Sequence, residues 1–169
     1  MGMEQIRALI CDVDGVLTDG SILLGEDGTE IKRFNSHDGA GIHLWVECGY
    51  QVALLTGRKS GAARQRAKEL GIQHVREGAR DKMPVYEELL AAMGATDAEV
   101  CCMGDDLPDV PVMRRAGYSA APADAREEVR AAASYVTHAR GGRGAVREVI
   151  ERILKAQGKW AGILERFQA

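Results

Sequence analysis

The stretch IRALICDVDGVLT, residues 6–18, decides the fold of this chain. Its first part is a short apolar run, which is typical of a strand buried on both faces of a parallel sheet. The run ends in two carboxylates, Asp12 and Asp14, followed by Gly15. In open α/β sheets, ligands bind beyond the carboxyl ends of the strands, so this stretch predicts a functional loop at such an edge.

The rest of the 169 residues alternates between strand and helix patterns. Strands are predicted at residues 6–13, 51–55, 73–75, 100–103, 118–120 and 135–136, and helices at 37–48, 60–70, 81–93, 107–115 and 144–156. This alternation predicts a single α/β domain over residues 1–169, with a doubly wound parallel sheet covered by helices on both faces.

One segment departs from the alternation. Residues 21–34 read as two short strands around the turn Gly25-Glu26-Asp27-Gly28, a pattern that predicts a projecting β-hairpin. A two-stranded hairpin is only marginally stable in water, so we expect it to pack against another surface, such as a second subunit. The tail, residues 158–169, carries four large apolar side chains and is expected to dock rather than remain free.

Composition excludes several classes of function. The chain is 46% hydrophobic and 28% charged, values typical of a soluble globular protein. A net charge of −3 without a basic run argues against nucleic-acid binding, and no apolar run reaches the roughly 18 residues of a membrane span. The four cysteines form no CxxC pair, so we expect buried, reduced thiols and a cytoplasmic location.

Three polar clusters follow predicted strands, at residues 12–14, 56–58 and 104–106. The carboxyl ends of parallel strands meet at one edge of a sheet, so these clusters are expected to converge. If the first strand stays regular, Asp12 and Asp14 share one face, where they repel each other unless a cation lies between them. Oxygen ligands of this kind suit Mg²⁺, and we predict that Asp12, Asp14 and Asp105 bind it. A bare pair of aspartates would otherwise be read as ordinary loop carboxylates.

The same residues can perform phosphoryl transfer. Asp12 is the candidate nucleophile, and Asp14 the candidate acid that protonates the leaving group and then activates water. Thr56 and the Gly57 amide are candidates for binding phosphate oxygens, while Lys82 would supply positive charge. Taken singly, Thr56-Gly57 would be read as a turn and Lys82 as a solvated residue.

These residues resemble, in order, the four motifs of the haloacid-dehalogenase-like phosphatases, at residues 12–18, Thr56, Lys82 and 104–109. The resemblance implies a phosphatase that forms an aspartyl-phosphate. Most members carry a cap domain, but the gap between Thr18 and Thr56 has room only for the hairpin and one helix, so no cap is expected. Asp106 and Asp109 are expected to orient Lys82 and metal-bound water.

Within that superfamily the chain resembles the 3-deoxy-D-manno-octulosonate (KDO) 8-phosphate phosphatases at residues 18–20, 34–42, 55–59 and 141–144. The resemblance implies hydrolysis of that phosphosugar acid in lipopolysaccharide precursor biosynthesis. It also implies a homotetramer in which hairpins associate and neighbouring subunits cover each active site. The implied substrate-binding residues are Asp14, Asn35, Ser36, His37, Asp38, Gly39, His43, Gly57, Arg58, Arg66 and Lys82.

Two positions limit this resemblance. His43 stands where the family often has Arg or Lys. The family's C-terminal tail can enter a neighbouring site, and residues 158–169 are its weakly matching counterpart here.

Three other functions remain open at this point. A 9-phosphate phosphatase of nine-carbon, sialic-acid-like sugars (KDN 9-phosphate) is similar overall, but such relatives tend to carry Glu at the position of Arg58. The arginine at this position therefore favours the eight-carbon substrate. Its guanidinium can also bind a sugar-acid carboxylate through two parallel hydrogen bonds. A phospho-accepting receiver domain and a non-catalytic oligomerisation module are the alternatives from other classes.

Overall fold

The computed structural model describes residues 2–168; the two ends of the predicted domain, Met1 and Ala169, lie outside the described residues. The strands are β1 (Ala8–Cys11), β2 (Leu23–Leu24), β3 (Glu30–Ile31), β4 (Gln51–Leu55), β5 (His74–Arg76), β6 (Val100–Met103), β7 (Tyr118–Ala121) and β8 (Tyr135–Val136). The helices are α1 (Ser36–Glu47), α2 (Gly61–Glu69), α3 (Lys82–Met93), α4 (Val110–Arg115), α5 (Glu127–Ala132), α6 (Ala145–Ala156) and α7 (Trp160–Glu165).

Six strands form one sheet in the order β5-β4-β1-β6-β7-β8, and each neighbouring pair is parallel. The chain builds the sheet outward from β1 to β5, then crosses back to place β6 on the other side of β1. The strand order therefore reverses beside β1, and a reversal of this kind opens a crevice at the carboxyl ends of the strands. The predicted doubly wound parallel sheet is confirmed, and Asp12 directly follows the strand at the reversal.

The two faces of the sheet bury two hydrophobic cores. Successive side chains of a strand point to opposite faces, so Leu9 of β1 joins the core under α1, α2 and α6, whereas Ile10 joins the core under α3, α4 and α5. Both residues are fully buried. Burial of each such side chain contributes about 1.5–3 kcal/mol, so β1 is held firmly from both sides.

Two helices were not predicted from the sequence. Helix α5 has six residues with only Val129 buried, which is too little apolar periodicity to detect. Helix α7 forms within the tail, whose predicted docking is confirmed for Ile163, which is buried against α6 and its neighbours. The predicted helix at 107–115 is a 3₁₀ turn at Leu107–Asp109 followed by α4, and each begins with a proline within its first two residues.

The predicted hairpin is present but short. Strands β2 and β3 pair antiparallel, with Leu23 opposite Ile31 and Leu24 opposite Glu30. The apolar side chains of this ribbon face solvent, with Leu24 66% and Ile31 58% exposed. Between Thr18 and Thr56 the described chain forms this hairpin, α1 and β4, with no cap domain among them.

The burial of the cysteines and the character of the helices bear on two further predictions, buried thiols and the lack of a membrane span. Three of the cysteines, Cys11, Cys101 and Cys102, are buried in the sheet, while Cys48 is half-buried after α1. Across residues 2–168, none of the helices combines the length and the apolar character that crossing a bilayer requires.

Candidate active site

An open cavity of about 460 Å³ lies at the carboxyl ends of β1, β4 and β6. It brings together the three polar clusters, as the parallel sheet predicts. Its lining residues are Asp12, Asp14, Gly20, Thr56, Gly57, Arg58, Ala79, Arg80, Lys82, Asp105, Asp106, Pro108 and Asp109.

Asp12 lies at the centre of this cavity, directly after β1. Its backbone N–H donates to the carbonyl of Met103 at 3.0 Å, which ties the residue to the end of β6. Its Oδ1 lies 3.3 Å from Nζ of Lys82. That oxygen is buried and has no hydrogen-bond partner among the described residues. Asp12 thus places a buried carboxylate oxygen beside the Lys82 ammonium at the end of β1.

Lys82 is the first residue of α3, and the side chain of Asp81 caps this helix by accepting from the Met83 N–H. The Lys82 side chain is only 4% exposed, and its Nζ lies 2.5 Å from Oδ1 of Asp109. Burial lowers the pKa of Lys82, but the carboxylates of Asp12 and Asp109 outweigh this effect and raise it overall. Lys82 therefore carries its positive charge inside the cavity.

Asp109 connects Lys82 to the loop after β6. Its Oδ2 accepts from the backbone N–H groups of Asp105 at 3.0 Å and Asp106 at 3.2 Å. Gly104 permits this arrangement, because a Cβ there would lie 2.2 Å from Cβ of Asp109. The exposed Asp106 side chain caps the following turn by accepting from the Leu107 N–H at 2.8 Å. One buried carboxylate thus fixes both the lysine and the acidic loop.

Three carboxylates gather on one side of the cavity. Oxygens of Asp12, Asp105 and Asp109 lie within 4.8 Å of one another. Burial raises the pKa of Asp12 to about 6 although Lys82 opposes this, and burial together with Asp12 raises the pKa of Asp105 to about 7. Lys82 pairs with Asp12 and Asp109, and its single positive charge does not balance the three carboxylates of this cluster. A divalent cation with a preference for oxygen fits this cluster.

Asp14 lies apart from this cluster, although the sequence placed it beside Asp12. Strand β1 ends at Cys11, so the regular alternation that would put both side chains on one face does not continue to Asp14. Its carboxylate forms an ion pair with Lys32, and its Oδ2 lies 3.7 Å from Nε of Arg58. Metal binding by Asp14 stays a prediction, whereas Asp109 stands in the cluster that the sequence had assigned to Asp14.

Two glycine contacts shape the loop after β1. Gly15 has φ +87°, and a Cβ on it would lie 2.0 Å from Oδ2 of Asp105. On the other side, a Cβ on Gly141 would lie 1.9 Å from the Gly15 carbonyl oxygen, and the Gly142 N–H donates to Val16 O at 2.9 Å. Glycine at 15 and 141 therefore lets three backbone segments meet behind the acidic cluster.

Thr56 and Arg58 approach from the end of β4. Thr56 is buried, and its N–H donates to the Arg76 carbonyl at 2.9 Å. Its hydroxyl accepts from the Arg58 N–H at 3.4 Å. Arg58 is 45% exposed at the rim, and its Nη2 lies 3.3 Å from Oε1 of Glu30 on the hairpin. Both residues reach the cavity from a rigid strand end.

The structure does not bring every predicted substrate-binding residue to this cavity. Those outside its lining in the protomer are Asn35, Ser36, His37, Asp38, Gly39, His43 and Arg66. Most lie at the start of α1, where the Asn35 side chain caps the helix by accepting from the His37 N–H at 2.8 Å. Arg66 lies on α2, 3.2 Å from Glu69 and over the ring of Phe34.

Asp38 has a structural set of partners. It is buried, and its two carboxylate oxygens accept from the backbone N–H groups of Gly144, at 3.1 Å, and Arg147, at 2.9 Å. Burial raises the pKa of Asp38 even though these donors oppose the shift. The carboxylate thus joins the first turn of α1 to the first turn of α6.

Two cavity-side cations were missed by the sequence reading. Arg80 lines the cavity two residues before Lys82, and its position next to Asp81-Lys82 was the available signal. Lys32 reaches Asp14 from the hairpin. Its signal was weaker, because a polar residue directly after an exposed two-residue strand is usually solvated.

Comparison with known proteins agrees with this geometry. A profile of haloacid dehalogenase-like hydrolases matches residues 75–150. The 3-deoxy-D-manno-octulosonate 8-phosphate phosphatase of Yersinia pestis is 48% identical over 158 residues, covering 94% of this chain and 84% of the relative. Its crystal structure superposes with a TM-score of 0.93, covering 95% of this chain and 86% of the other.

A second solved structure carries ligands. The 3-deoxy-D-manno-octulosonate 8-phosphate phosphatase of Moraxella catarrhalis, in complex with magnesium, phosphate and KDO, is 39% identical with a TM-score of 0.95. The match covers 98% of this chain and 95% of the other. On identity, coverage and fold together, this chain belongs to the 3-deoxy-D-manno-octulosonate 8-phosphate phosphatase family of haloacid dehalogenase-like hydrolases.

Proposed function

We propose that this protein is a Mg²⁺-dependent phosphatase that hydrolyses 3-deoxy-D-manno-octulosonate 8-phosphate to KDO and phosphate, in lipopolysaccharide precursor biosynthesis. The observation that carries the proposal is the buried Oδ1 of Asp12, which accepts no hydrogen bond and lies 3.3 Å from the buried ammonium of Lys82, in a chain 48% identical to such an enzyme. Family membership also removes the receiver-domain alternative. We place the enzyme in the cytoplasm.

In the first step, an oxygen of Asp12 attacks the phosphorus atom and forms an aspartyl-phosphate. The bond between phosphorus and the sugar oxygen breaks, and Asp14 gives its proton to that oxygen. Thr56 and the Gly57 N–H bind phosphoryl oxygens, and Lys82 neutralises part of their charge. This step is compatible with the cavity, because the five residues that take part in it all line the cavity.

In the second step, Asp14 accepts a proton from water, and the resulting hydroxide attacks the phosphorus atom. The bond between phosphorus and the Asp12 oxygen breaks and phosphate leaves. Asp12 is then again a carboxylate, and Asp14 again carries the proton that it gave up in the first step. Asp109 keeps the Lys82 ammonium in place through both steps by its contact at 2.5 Å.

Asp12 and Asp105 are the residues we propose as carboxylate ligands of Mg²⁺. Bound there, the ion would offset the repulsion between the nucleophilic carboxylate and the anionic phosphate. Asp109 stands in the same cluster but is already held by Lys82, so we assign it to orienting these groups rather than to direct ligation.

The sugar acid adds a carboxylate to the phosphate, and Arg58 at the rim of the cavity is the residue we propose for it. A guanidinium offers two parallel donors to a carboxylate, which a lysine cannot match. Arg80 adds a second rim cation.

The substrate-binding residues outside the protomer's cavity suggest how the site is completed. We propose that the protein forms a homotetramer through its hairpins, and that residues at the start of α1 and Arg66 serve the cavity of a neighbouring subunit. The exposed apolar hairpin supports this proposal, because such residues are normally covered in an interface. The tail after α6 is a second candidate for reaching a neighbour.

The substrate is tested by parallel steady-state kinetics on the eight-carbon 8-phosphate and the nine-carbon KDN 9-phosphate. We expect kcat/KM to favour the eight-carbon ester at least about tenfold, a difference of about 1.4 kcal/mol, because Arg58 stands where relatives that act on nine-carbon acids tend to carry Glu. Faster turnover of the nine-carbon ester would overturn the substrate assignment. Arg58→Glu is the matched variant, and it should reduce or reverse the preference.

A further inference from the structure

Lys32 places its ammonium group against Asp14, a residue of the cavity lining, from outside the catalytic motifs. It directly follows β3, and its side chain is only 1% exposed although the hairpin itself is open to solvent. Its Nζ pairs with Oδ1 of Asp14 and lies 3.0 Å from Oε1 of Glu30. A buried charge costs several kcal/mol unless it is paired, so these two carboxylates fix where Lys32 lies.

The hairpin directs Lys32 inward by simple alternation. Side chains two residues apart on a strand share a face, so Glu30 and Lys32 point to the cavity side while Ile31 points to solvent. Glu30 and Lys32 close a ring of alternating charge with Asp14 and Arg58. Around the ring, Glu30 lies 3.3 Å from Arg58, and Arg58 lies 3.7 Å from Asp14.

This ring leaves the two oxygens of Asp14 in different states. Oδ1 is engaged by Lys32 and by the Thr18 hydroxyl at 3.5 Å. Oδ2 is buried and accepts no hydrogen bond in the described chain; its nearest charged neighbour in the ring is Nε of Arg58, at the longer distance of 3.7 Å. A carboxylate held through one oxygen keeps the other in a defined direction, which is what proton transfer to a leaving group requires.

We propose that Lys32 is a positioning residue for Asp14, through which the hairpin holds the acid/base carboxylate with one oxygen directed to the reaction. The inference rests on the proposed function, in which Asp14 protonates the leaving group. It ties the catalytic loop to the ribbon that we propose as the subunit interface.

The test separates positioning from simple loss of structure by varying the leaving group. A series of substituted phenyl phosphates is used, since none carries the sugar carboxylate and contacts to Arg58 drop out. The rate constant kcat/KM reports the step in which the phenol leaves, and a poor leaving group needs the acid more than 4-nitrophenol does. Asp14→Asn is the reference variant, because it shows how kcat/KM depends on the pKa of the leaving group when the general acid is absent.

For Lys32→Met we expect kcat/KM on phenyl phosphate to fall at least about tenfold further than on 4-nitrophenyl phosphate, since general-acid catalysis is worth about 100-fold or more. Lys32→Arg should restore most of the difference. The control is Arg33→Met, which removes the next cation along the hairpin, a 62% exposed partner of Asp19. Arg33→Met should show the same dependence of kcat/KM on leaving-group pKa as wild type.

An equal loss across the series, or no loss, would overturn the positioning role. If Lys32→Met does not fold, Lys32→Gln is measured by the same criterion. Failure of both to fold while Lys32→Arg folds would assign the ammonium to stability and also overturn the proposal. An unchanged leaving-group dependence in Asp14→Asn would instead refute Asp14 as the acid, which is a failure of the proposed function and not of Lys32 alone.

Discussion

Gly15 and Asp105 are in contact across the acidic cavity: a Cβ on Gly15 would lie 2.0 Å from Oδ2 of Asp105. The glycine has φ +87°, so it is required twice, once by the backbone conformation and once by the space that Asp105 occupies. The loop after β1 and the loop after β6 can therefore approach closely enough to share one cation.

This contact gives a first prediction. In Gly15→Ala the new methyl group displaces Asp105, and we expect Mg²⁺ affinity to fall by at least about tenfold. Gly49→Ala is the control, because Gly49 has φ +79° but nothing within 4 Å of a Cβ. Both variants should lose about 1–2 kcal/mol of stability from the backbone. Calorimetric Mg²⁺ titration and denaturant unfolding measure the two effects; equal Mg²⁺ affinity in both variants would contradict the prediction.

A second prediction concerns the nucleophile. Asp12→Asn keeps the size of the side chain and removes its negative charge. We expect kcat to fall more than about 1000-fold, since loss of a covalent nucleophile leaves only binding and electrostatic effects. Trapping of a phosphorylated protein by rapid acid quench should succeed with wild type and fail with the variant. Near wild-type turnover would mean that the reaction does not pass through Asp12.

A third prediction concerns the buried pair of Lys82 and Asp109. Asp109→Asn removes the charge 2.5 Å from Lys82, and breaking a buried pair costs about 3 kcal/mol. We also expect kcat to fall about 10- to 100-fold because Lys82 loses its orienting partner. Asp106→Asn serves as the comparison, since Asp106 is exposed and caps only a turn. Urea unfolding should rank Asp109→Asn well below Asp106→Asn in stability.

A fourth prediction follows from the raised pKa values of Asp12, about 6, and Asp105, about 7. Without Mg²⁺ the folded state binds more protons than the unfolded state from about pH 4, the ordinary pKa of an aspartate, up to these raised pKa values. Stability of the metal-free protein therefore falls as pH rises through this window, and the loss is complete above about pH 7.

The cation reverses this cost because it binds the deprotonated carboxylates. We expect Mg²⁺ to raise the melting temperature more at pH 8 than at pH 5.5, and to bind more tightly at the higher pH. Asp105→Asn should flatten the pH dependence of the metal-free protein. Differential scanning calorimetry at several pH values measures this; a stabilisation by Mg²⁺ that does not change with pH would contradict it.

A fifth prediction tests the homotetramer. Leu24 is 66% exposed on the hairpin, and Leu24→Asp places a charge on the surface proposed to be buried between subunits. We expect the mass measured by light scattering to fall, with loss of activity where a neighbour completes the site. Thr29→Asp, on the same hairpin at an already polar position, should keep the mass of wild type. Unchanged mass in Leu24→Asp would place the interface elsewhere.

Much of the architecture was accessible from local patterns. The apolar run before Asp12 and the strand–helix alternation predicted a parallel sheet, because a strand buried on both faces needs continuous apolar residues. Because the carboxyl ends of parallel strands meet at one edge of the sheet, the sequence also predicted that residues 12–14, 56–58 and 104–106 lie close together.

What the sequence by itself determined is therefore the parallel sheet and the gathering of residues 12–14, 56–58 and 104–106 at one edge of it, since these depend on periodicity and strand direction. Only the tertiary structure decided which residues each side chain contacts. Asp14 turned from the metal cluster to Lys32 because β1 ends three residues earlier, and Asp38 joined α1 to α6. These contact partners are distant in sequence. A local sequence pattern therefore cannot predict which of them a buried carboxylate will contact.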